Sequence, residues 1–446
     1  MTRHLKNTGV IIAAAVLVLL ACSPELVVRG IVGGVLPSPS APTVVGALMA
    51  TSPPTEAPTD SSFIPPPTTS ITPSASSTAS MVSVTEPAPP ASSVPPTATP
   101  PPVLPLRTDL PAMTLKDWPR PANDNGFCIH FLPTGYYSQR DFDIQLPRLQ
   151  GLQMRWVLAL YSDENQLRLA ATNFKKIGVV PIWRRTLRAY QRYYAWDRDI
   201  QILKEVGLPP YFQIYNEPDT AAEWDGRDVN REQWISYFVQ TAKDVYNAGG
   251  YVGIQVLDEN WLHELIQTIK LEKGDRIFTR MFFVPHPYGL NHPPNYVEDD
   301  NGVLGFRTFA NVFQRDLGFV PPFIAGEGGW KYKATDDNRF PMIDDKLHAQ
   351  YHVELFNWFR TGILSDGQPL PDYLFAFCPW ILAGTMEGAA WYDSFEGNRE
   401  MTIAAVKQIP IFTRKFSWDK KMSIGGAQAP PFRLSRTGLR FAARLA

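Results

Sequence analysis

The sequence predicts a protein of the α/β class, a (β/α)8 or TIM barrel over residues 107–446. Three observations predict it. From about residue 127 onward, short apolar runs alternate with amphipathic stretches, the pattern of βα units in a parallel sheet. Eight such runs occur, the number a closed barrel needs. Their spacing from Phe127 to Leu374 averages about 35 residues per unit, near the ~31 of a barrel of ~250 residues. An open doubly wound sheet is the competing architecture, but no G-x-G-x-x-G follows the first run. No repeat of solenoid type is visible.

In chain order, strands are expected near 127–132, 155–161, 179–183, 211–215, 252–257, 280–284, 323–325 and 374–380. Helices are expected between them, most clearly at 165–176, 231–247, 261–271 and 344–361. The first of the 12 tryptophans is Trp118, so the large core-forming side chains all lie in the barrel region. That region is long enough for one sizeable core.

The remainder of the chain reads differently. Arg3 and Lys6 precede the apolar run Gly9 to Ala21, which is too short for a full membrane span and fits an export signal. Leu19-Leu20-Ala21-Cys22 resembles the bacterial lipobox, which implies that Cys22 is lipidated and becomes the new N-terminus. Residues 1–22 are therefore expected to be a signal peptide and lipoprotein anchor, ahead of an uncleaved anchor or simple cleavage and release. Residues 23–106 are expected to be a disordered linker. From residue 37 it holds 19 of the 42 prolines, no Lys or Arg, and Phe63 as its one aromatic, so it buries too little to offset ordering entropy. Its prolines favour a semi-rigid stalk, and such Ser/Thr-rich stalks are often O-glycosylated outside cells. The expected location is outside the cell, tethered to the membrane only through this N-terminus.

The net charge of -1, from 42 basic and 43 acidic side chains, gives no footprint for nucleic acid. The 3 cysteines are too few for a disulfide scaffold. Cys128 and Cys378 fall on the first and last expected strands, neighbours in a closed barrel. A disulfide is sterically conceivable, but two buried free thiols are the expectation.

Barrel active sites lie at the C-terminal ends of the strands. The fourth expected strand ends Tyr215-Asn216-Glu217-Pro218-Asp219, and the seventh ends Ala325-Gly326-Glu327-Gly328-Gly329-Trp330. The sixth ends His286-Pro287-Tyr288-Gly289 and the eighth Pro379-Trp380. Two carboxylates, a histidine, a tyrosine and a tryptophan would converge on one mouth. Paired carboxylates are what glycosidic hydrolysis requires: one protonates the leaving oxygen, the other attacks or activates water from the opposite face.

Asn-Glu-Pro on the fourth strand with a glutamate on the seventh resembles the retaining glycoside hydrolases of clan A, such as cellulases, mannanases, xylanases and β-glycosidases. The resemblance implies Glu217 as acid/base and Glu327 as nucleophile. It implies that Asn216 binds the sugar 2-hydroxyl, that Tyr288 contacts the nucleophile, that His286 lines the site and that Trp380 forms a sugar-stacking floor. It implies a β-linked glycan cut by double displacement, with no cofactor and no metal. Several clan families carry an arginine ending the second strand; here that strand ends Leu160-Tyr161-Ser162. The third ends Trp183-Arg184-Arg185, and one of those arginines is a candidate instead.

Other readings stay open at this point: a catalytically silent carbohydrate-binding barrel, or a cell-envelope interaction protein working through its stalk. Asp258 and Glu259 are rival carboxylates without a partner. His286, His292, Asp299 and Asp300 match no metal-ligand spacing. The tail from Ile411, with Arg414, Lys415, Lys420 and Lys421, reads as a solvated or disordered basic end.

Overall fold

The computed structural model describes residues 103–107 and 113–419. The expected signal segment with Cys22, the linker through residue 102 and the basic tail from Lys420 lie outside the described residues. Residues 103–107 lie along the barrel: Leu104 N–H donates to Gln267 at 2.9 Å, and the Lys270 ammonium donates to Leu104 O at 2.6 Å.

Seven strands form one parallel sheet in chain order: β1 (Trp156–Tyr161), β2 (Val180–Arg185), β3 (Tyr211–Gln213), β4 (Tyr251–Ile254), β5 (Met281–Phe283), β6 (Phe323–Ala325) and β7 (Leu374–Phe377). Residues 127–131 close it. Phe127 bridges Phe377 of β7 and His130 bridges Leu158 of β1, both in parallel. The Phe131 N–H reaches Leu158 O at 2.8 Å and the His130 N–H reaches Pro379 O at 3.1 Å. This closing segment is the first of eight strands, so β3 is the expected fourth, β5 the sixth, β6 the seventh and β7 the eighth.

A helix follows each of the eight: α1 (Gln139–Gly151), α2 (Glu164–Lys176), α3 (Trp196–Val206), α4 (Arg231–Ala248), α5 (Glu259–Leu271), α6 (Phe306–Leu317), α7 (Asp345–Thr361) and α8 (Glu400–Lys407). Short polar residues fix where several begin. Ser138 and Asp141 form a capping box on α1, and Asp163, Asn230, Asp258 and Asp344 accept backbone N–H bonds at the starts of α2, α4, α5 and α7. Asp258, a rival carboxylate in the sequence, is thus a helix cap.

The strands alternate, except where a register shift against β6 sets both Phe375 and Ala376 of β7 in the interior cluster. Val157, Ala159, Tyr161, Trp183, Phe212, Val252, Ile254, Met281 and Phe283 point outward into the core shared with the helices. Cys128, Trp156, Leu158, Leu160, Val180, Ile182, Tyr211, Phe282, Val284, Ile324, Ala376 and Cys378 point inward and fill the barrel. Gly253 has inward parity where the Phe282 ring takes the room; a Cβ there would lie 2.6 Å from that ring and from Phe212 O.

Two expectations are corrected here. Cys128 and Cys378 are joined in a disulfide, not free thiols, because both have inward parity on adjacent strands and their Cα atoms approach to 4.2 Å. Arg414 is not part of a solvated tail. It is buried below β7, donating to Leu374 O and, at 2.9 Å, to Pro371 O. Phe416 and Trp418 stack at 4.5 Å beside it, with Arg120 over the Phe416 ring. Together with Trp118, these residues cap the end of the barrel opposite the strand ends named above.

Candidate active site

The inward parity that fills the barrel with apolar side chains becomes polar at the C-terminal ends. Two residues beyond Cys128, Ile182, Tyr211, Gly253 and Val284 stand His130, Arg184, Gln213, Gln255 and His286, all buried. Arg185, with the opposite parity, points outward to Asp199 at 3.6 Å and lies over the Tyr193 ring at 3.7 Å. Parity therefore selects Arg184 as the site arginine, a choice the sequence left open.

Both glutamates enter this polar layer through backbone that departs from the strand. After Gln213 the chain leaves β3, Tyr215 turns outward to Gln191 O, and Glu217 adopts φ +32, a left-handed conformation that L residues rarely take. Its backbone N–H donates to the Gln255 side chain. At β6 the chain passes so near the barrel axis that a Cβ on Gly326 would lie 2.5 Å from Val284 and 2.6 Å from Leu158. Gly328 and Gly329, with φ +151 and +73, then turn it away and leave Glu327 facing the mouth.

Carboxylate oxygens of Glu217 and Glu327 and a ring nitrogen of His286 lie within 4.8 Å of one another. The environments of the two acids differ. Glu327 is 2% exposed; one oxygen accepts from the Arg184 guanidinium and the other from the Tyr288 hydroxyl at 2.9 Å. Burial alone would raise its pKa, but the Arg184 charge, helped by His286, outweighs this and holds the carboxyl well below the usual range. Burial pushes the Tyr288 hydroxyl far up, and the neighbouring carboxylates push it further, so it stays a neutral donor. Burial likewise keeps the His130 imidazole neutral, 3.6 Å from Glu327. Glu217 is 16% exposed at the side chain and is bonded at 2.8 Å to His286 Nδ1. Burial pushes nearby Asp219 up to about 7, although it accepts from Leu257 and Asp258 N–H at 2.6 and 2.7 Å.

Asn216 Oδ1 accepts from Arg184 at 2.6 Å and from Gln213 at 3.3 Å, and its Nδ2 donates to Glu223 at 2.8 Å. Trp380 reaches the mouth as expected, 4.4 Å from the His130 ring and followed by a cis peptide to Ile381. It is only 2% exposed, because Ile381, Ala389 and Ala390 pack on it with Tyr288. Its indole N–H donates to Glu387 at 3.3 Å. All six site residues named from the sequence therefore meet at one mouth. Trp183, Trp224, Trp330 and Trp391 are core. His130, Gln213, Gln255, Glu223 and Glu387 were missed; the first three were findable by counting two residues past each inward apolar position.

Glu217, His286 and Glu327 are also a possible metal-ligand set by composition. Both Glu327 oxygens are already taken by Arg184 and Tyr288, and the guanidinium opposes a cation, so the trio fits proton transfer and nucleophilic attack better than ligation. Among the described residues, His292, Asp299 and Asp300 form no such group with His286, and His292 pairs with Asp337 at 3.1 Å.

Fold and site together define the class: a (β/α)8 barrel with a buried glutamate and a half-buried glutamate facing each other at its C-terminal mouth. No protein-family model and no curated protein sequence matches the chain. Among solved structures it is similar to a family 51 α-L-arabinofuranosidase from Bifidobacterium longum, at 9% identity and TM-score 0.43 over 66% of this chain and 76% of that one. It is similar to a β-mannanase from Thermomonospora fusca, at 12% identity and TM-score 0.35 over 58% and 79%. It is similar, too, to a GH128 oligosaccharide-binding protein from Trichoderma gamsii, at 12% identity and TM-score 0.34 over 67% and 98%. These likenesses are weak, and the assignment of roles rests on the geometry of the site.

Proposed function

We propose that the protein is a retaining glycoside hydrolase acting on a β-linked glycan by double displacement. The observation that carries this is the pairing of Glu217 and Glu327, with oxygens within 4.8 Å across the mouth. Retaining enzymes hold their carboxyls ~5–5.5 Å apart, whereas inverting enzymes need ~6.5–9.5 Å for an intervening water. The unequal environments support one division of roles. Glu327, dry and held ionised by Arg184, is the nucleophile that bonds to the anomeric carbon. Glu217, partly exposed and bonded to His286, gives a proton to the departing oxygen. In the second half it takes a proton from the water that releases the sugar.

Substrate stacking on Trp380 requires the packing around it to open, since the residue is only 2% exposed. Within this reading the protein works outside the cell, tethered through Cys22. The lipobox-like sequence and the Cys128–Cys378 disulfide support that, because disulfides persist in oxidising compartments.

The test is turnover of aryl β-glycosides and of β-glucan, mannan and xylan by the wild type, Glu217→Gln and Glu327→Gln. The expected loss is roughly 10²- to 10⁴-fold for each variant on polysaccharide. Turnover surviving both changes would refute the assignment. Binding without turnover, unaffected by either change, would favour a silent carbohydrate-binding barrel.

A further inference from the structure

Glu223 takes no step in the double displacement, yet it is buried at 6% exposure and hydrogen-bonded to a site residue. It lies on the 3-10 turn Ala221–Trp224 that follows Asn216-Glu217-Pro218. One of its oxygens accepts from Asn216 Nδ2 at 2.8 Å and the other faces Arg188 at 3.3 Å. Across the same amide, Arg184 and Gln213 donate to Asn216 Oδ1. Two donors require the amide oxygen and a carboxylate requires the nitrogen, so the partners fix which way the amide faces. One Nδ2 hydrogen is held by Glu223. The second has no protein acceptor among the described residues and is left for a ligand.

We propose that Glu223 is a positioning residue that aims the Asn216 amide nitrogen at the sugar 2-hydroxyl, so that selectivity for a 2-hydroxylated glycone depends on a carboxylate that never touches substrate. This rests on the glycosidase reading above. Without Glu223, Arg184 and Gln213 still hold the amide oxygen, but the nitrogen loses its anchor and the amide can pivot about that oxygen, away from the sugar. A purely structural role, pairing the turn with Arg188, which also pairs with Asp225, would lower stability without altering the preference for one glycone over another.

The experiment compares the full chain with Glu223→Ala, Glu223→Asp and Glu223→Gln. The probes are the 4-nitrophenyl β-glycoside that the wild type cleaves fastest and its 2-deoxy counterpart. Comparing the ratio of kcat/KM values for the two substrates between variant and wild type cancels their intrinsic reactivity. In Glu223→Ala the wild-type ratio should fall by roughly 10- to 100-fold. Glu223→Asp keeps the charge but is one methylene short of the amide, so it should lose selectivity as well; it decides the matter if the alanine variant does not fold. Glu223→Gln keeps an acceptor oxygen within reach and should retain most of the ratio. An unchanged ratio in both the alanine and aspartate variants overturns the inference while leaving the glycosidase reading intact. Wild-type inactivity on every aryl glycoside would instead be the failure of that reading, and the inference would fall with it.

Discussion

At the scale of single residues, the contrast between the environments of the two glutamates comes chiefly from one cation, which pairs with Glu327. Arg184 donates to Glu327 and to Asn216, bridging the proposed nucleophile and the residue proposed to meet the 2-hydroxyl. A planar guanidinium makes both bonds from one position, which a lysine cannot reproduce. In Arg184→Met, burial is no longer opposed by that charge, so the Glu327 pKa rises. Activity should then be lost on the acid side at a higher pH than in the wild type, together with a fall in kcat/KM of about 10²-fold or more. A pH–rate profile checks this; an acid limb that stays in place would remove Arg184 from the account. That two glutamates face each other at the mouth was legible in the sequence, because each stands just past the end of an apolar run. The arginine was not, because Arg184 and Arg185 are adjacent and only the parity of Ile182 separates them.

At the scale of elements, the seam between the closing segment and β7 is held by isolated bridges and by the Cys128–Cys378 disulfide. His130 and Trp380 stand two residues beyond those cysteines, so the same seam carries two walls of the site. The Cys128→Ala/Cys378→Ala variant should lose about 2–5 kcal/mol of stability, measured by urea unfolding; an unchanged midpoint would contradict it. Asp199 gives a second test, between β2 and α3. Burial raises its carboxyl to about 6, against bonds from Tyr161 at 2.7 Å and Tyr193 at 3.2 Å. The folded state therefore holds this proton more tightly than the unfolded chain. The ionised group costs stability above about pH 6, and the cost fades as pH falls toward 4. Relative to the wild type, Asp199→Asn should gain up to about 3 kcal/mol between pH 4 and pH 7. A difference independent of pH would refute the assignment. All eight strands were legible from apolar runs, although β3, β5 and β6 span only three residues each. The disulfide was not legible, because pairing depends on the register of a barrel closure that spacing leaves undefined.

At the scale of the whole molecule, the barrel is the working part. Among the described residues no helix is long and apolar enough to cross a membrane. Tethering in this account belongs to Cys22 and the stalk of residues 23–106, a proposal read from sequence alone. Cys22→Ala should move the protein from the membrane fraction to the soluble fraction of fractionated cells; retention at the membrane would point to an uncleaved anchor. The substrate's identity was not legible in the sequence, since it depends on the long segments 284–305 and 378–399 that wall the mouth.

The central claim is that Glu327 forms a covalent bond to the sugar. Its most direct test is to incubate the protein with a panel of 2,4-dinitrophenyl 2-deoxy-2-fluoro-β-glycosides and map the labelled peptide by mass spectrometry. The account predicts one glycosyl group per chain, on Glu327, and none on the Glu327→Gln variant. A label on a different residue, or a wild type that turns over natural substrate with inversion at the anomeric carbon, would contradict it.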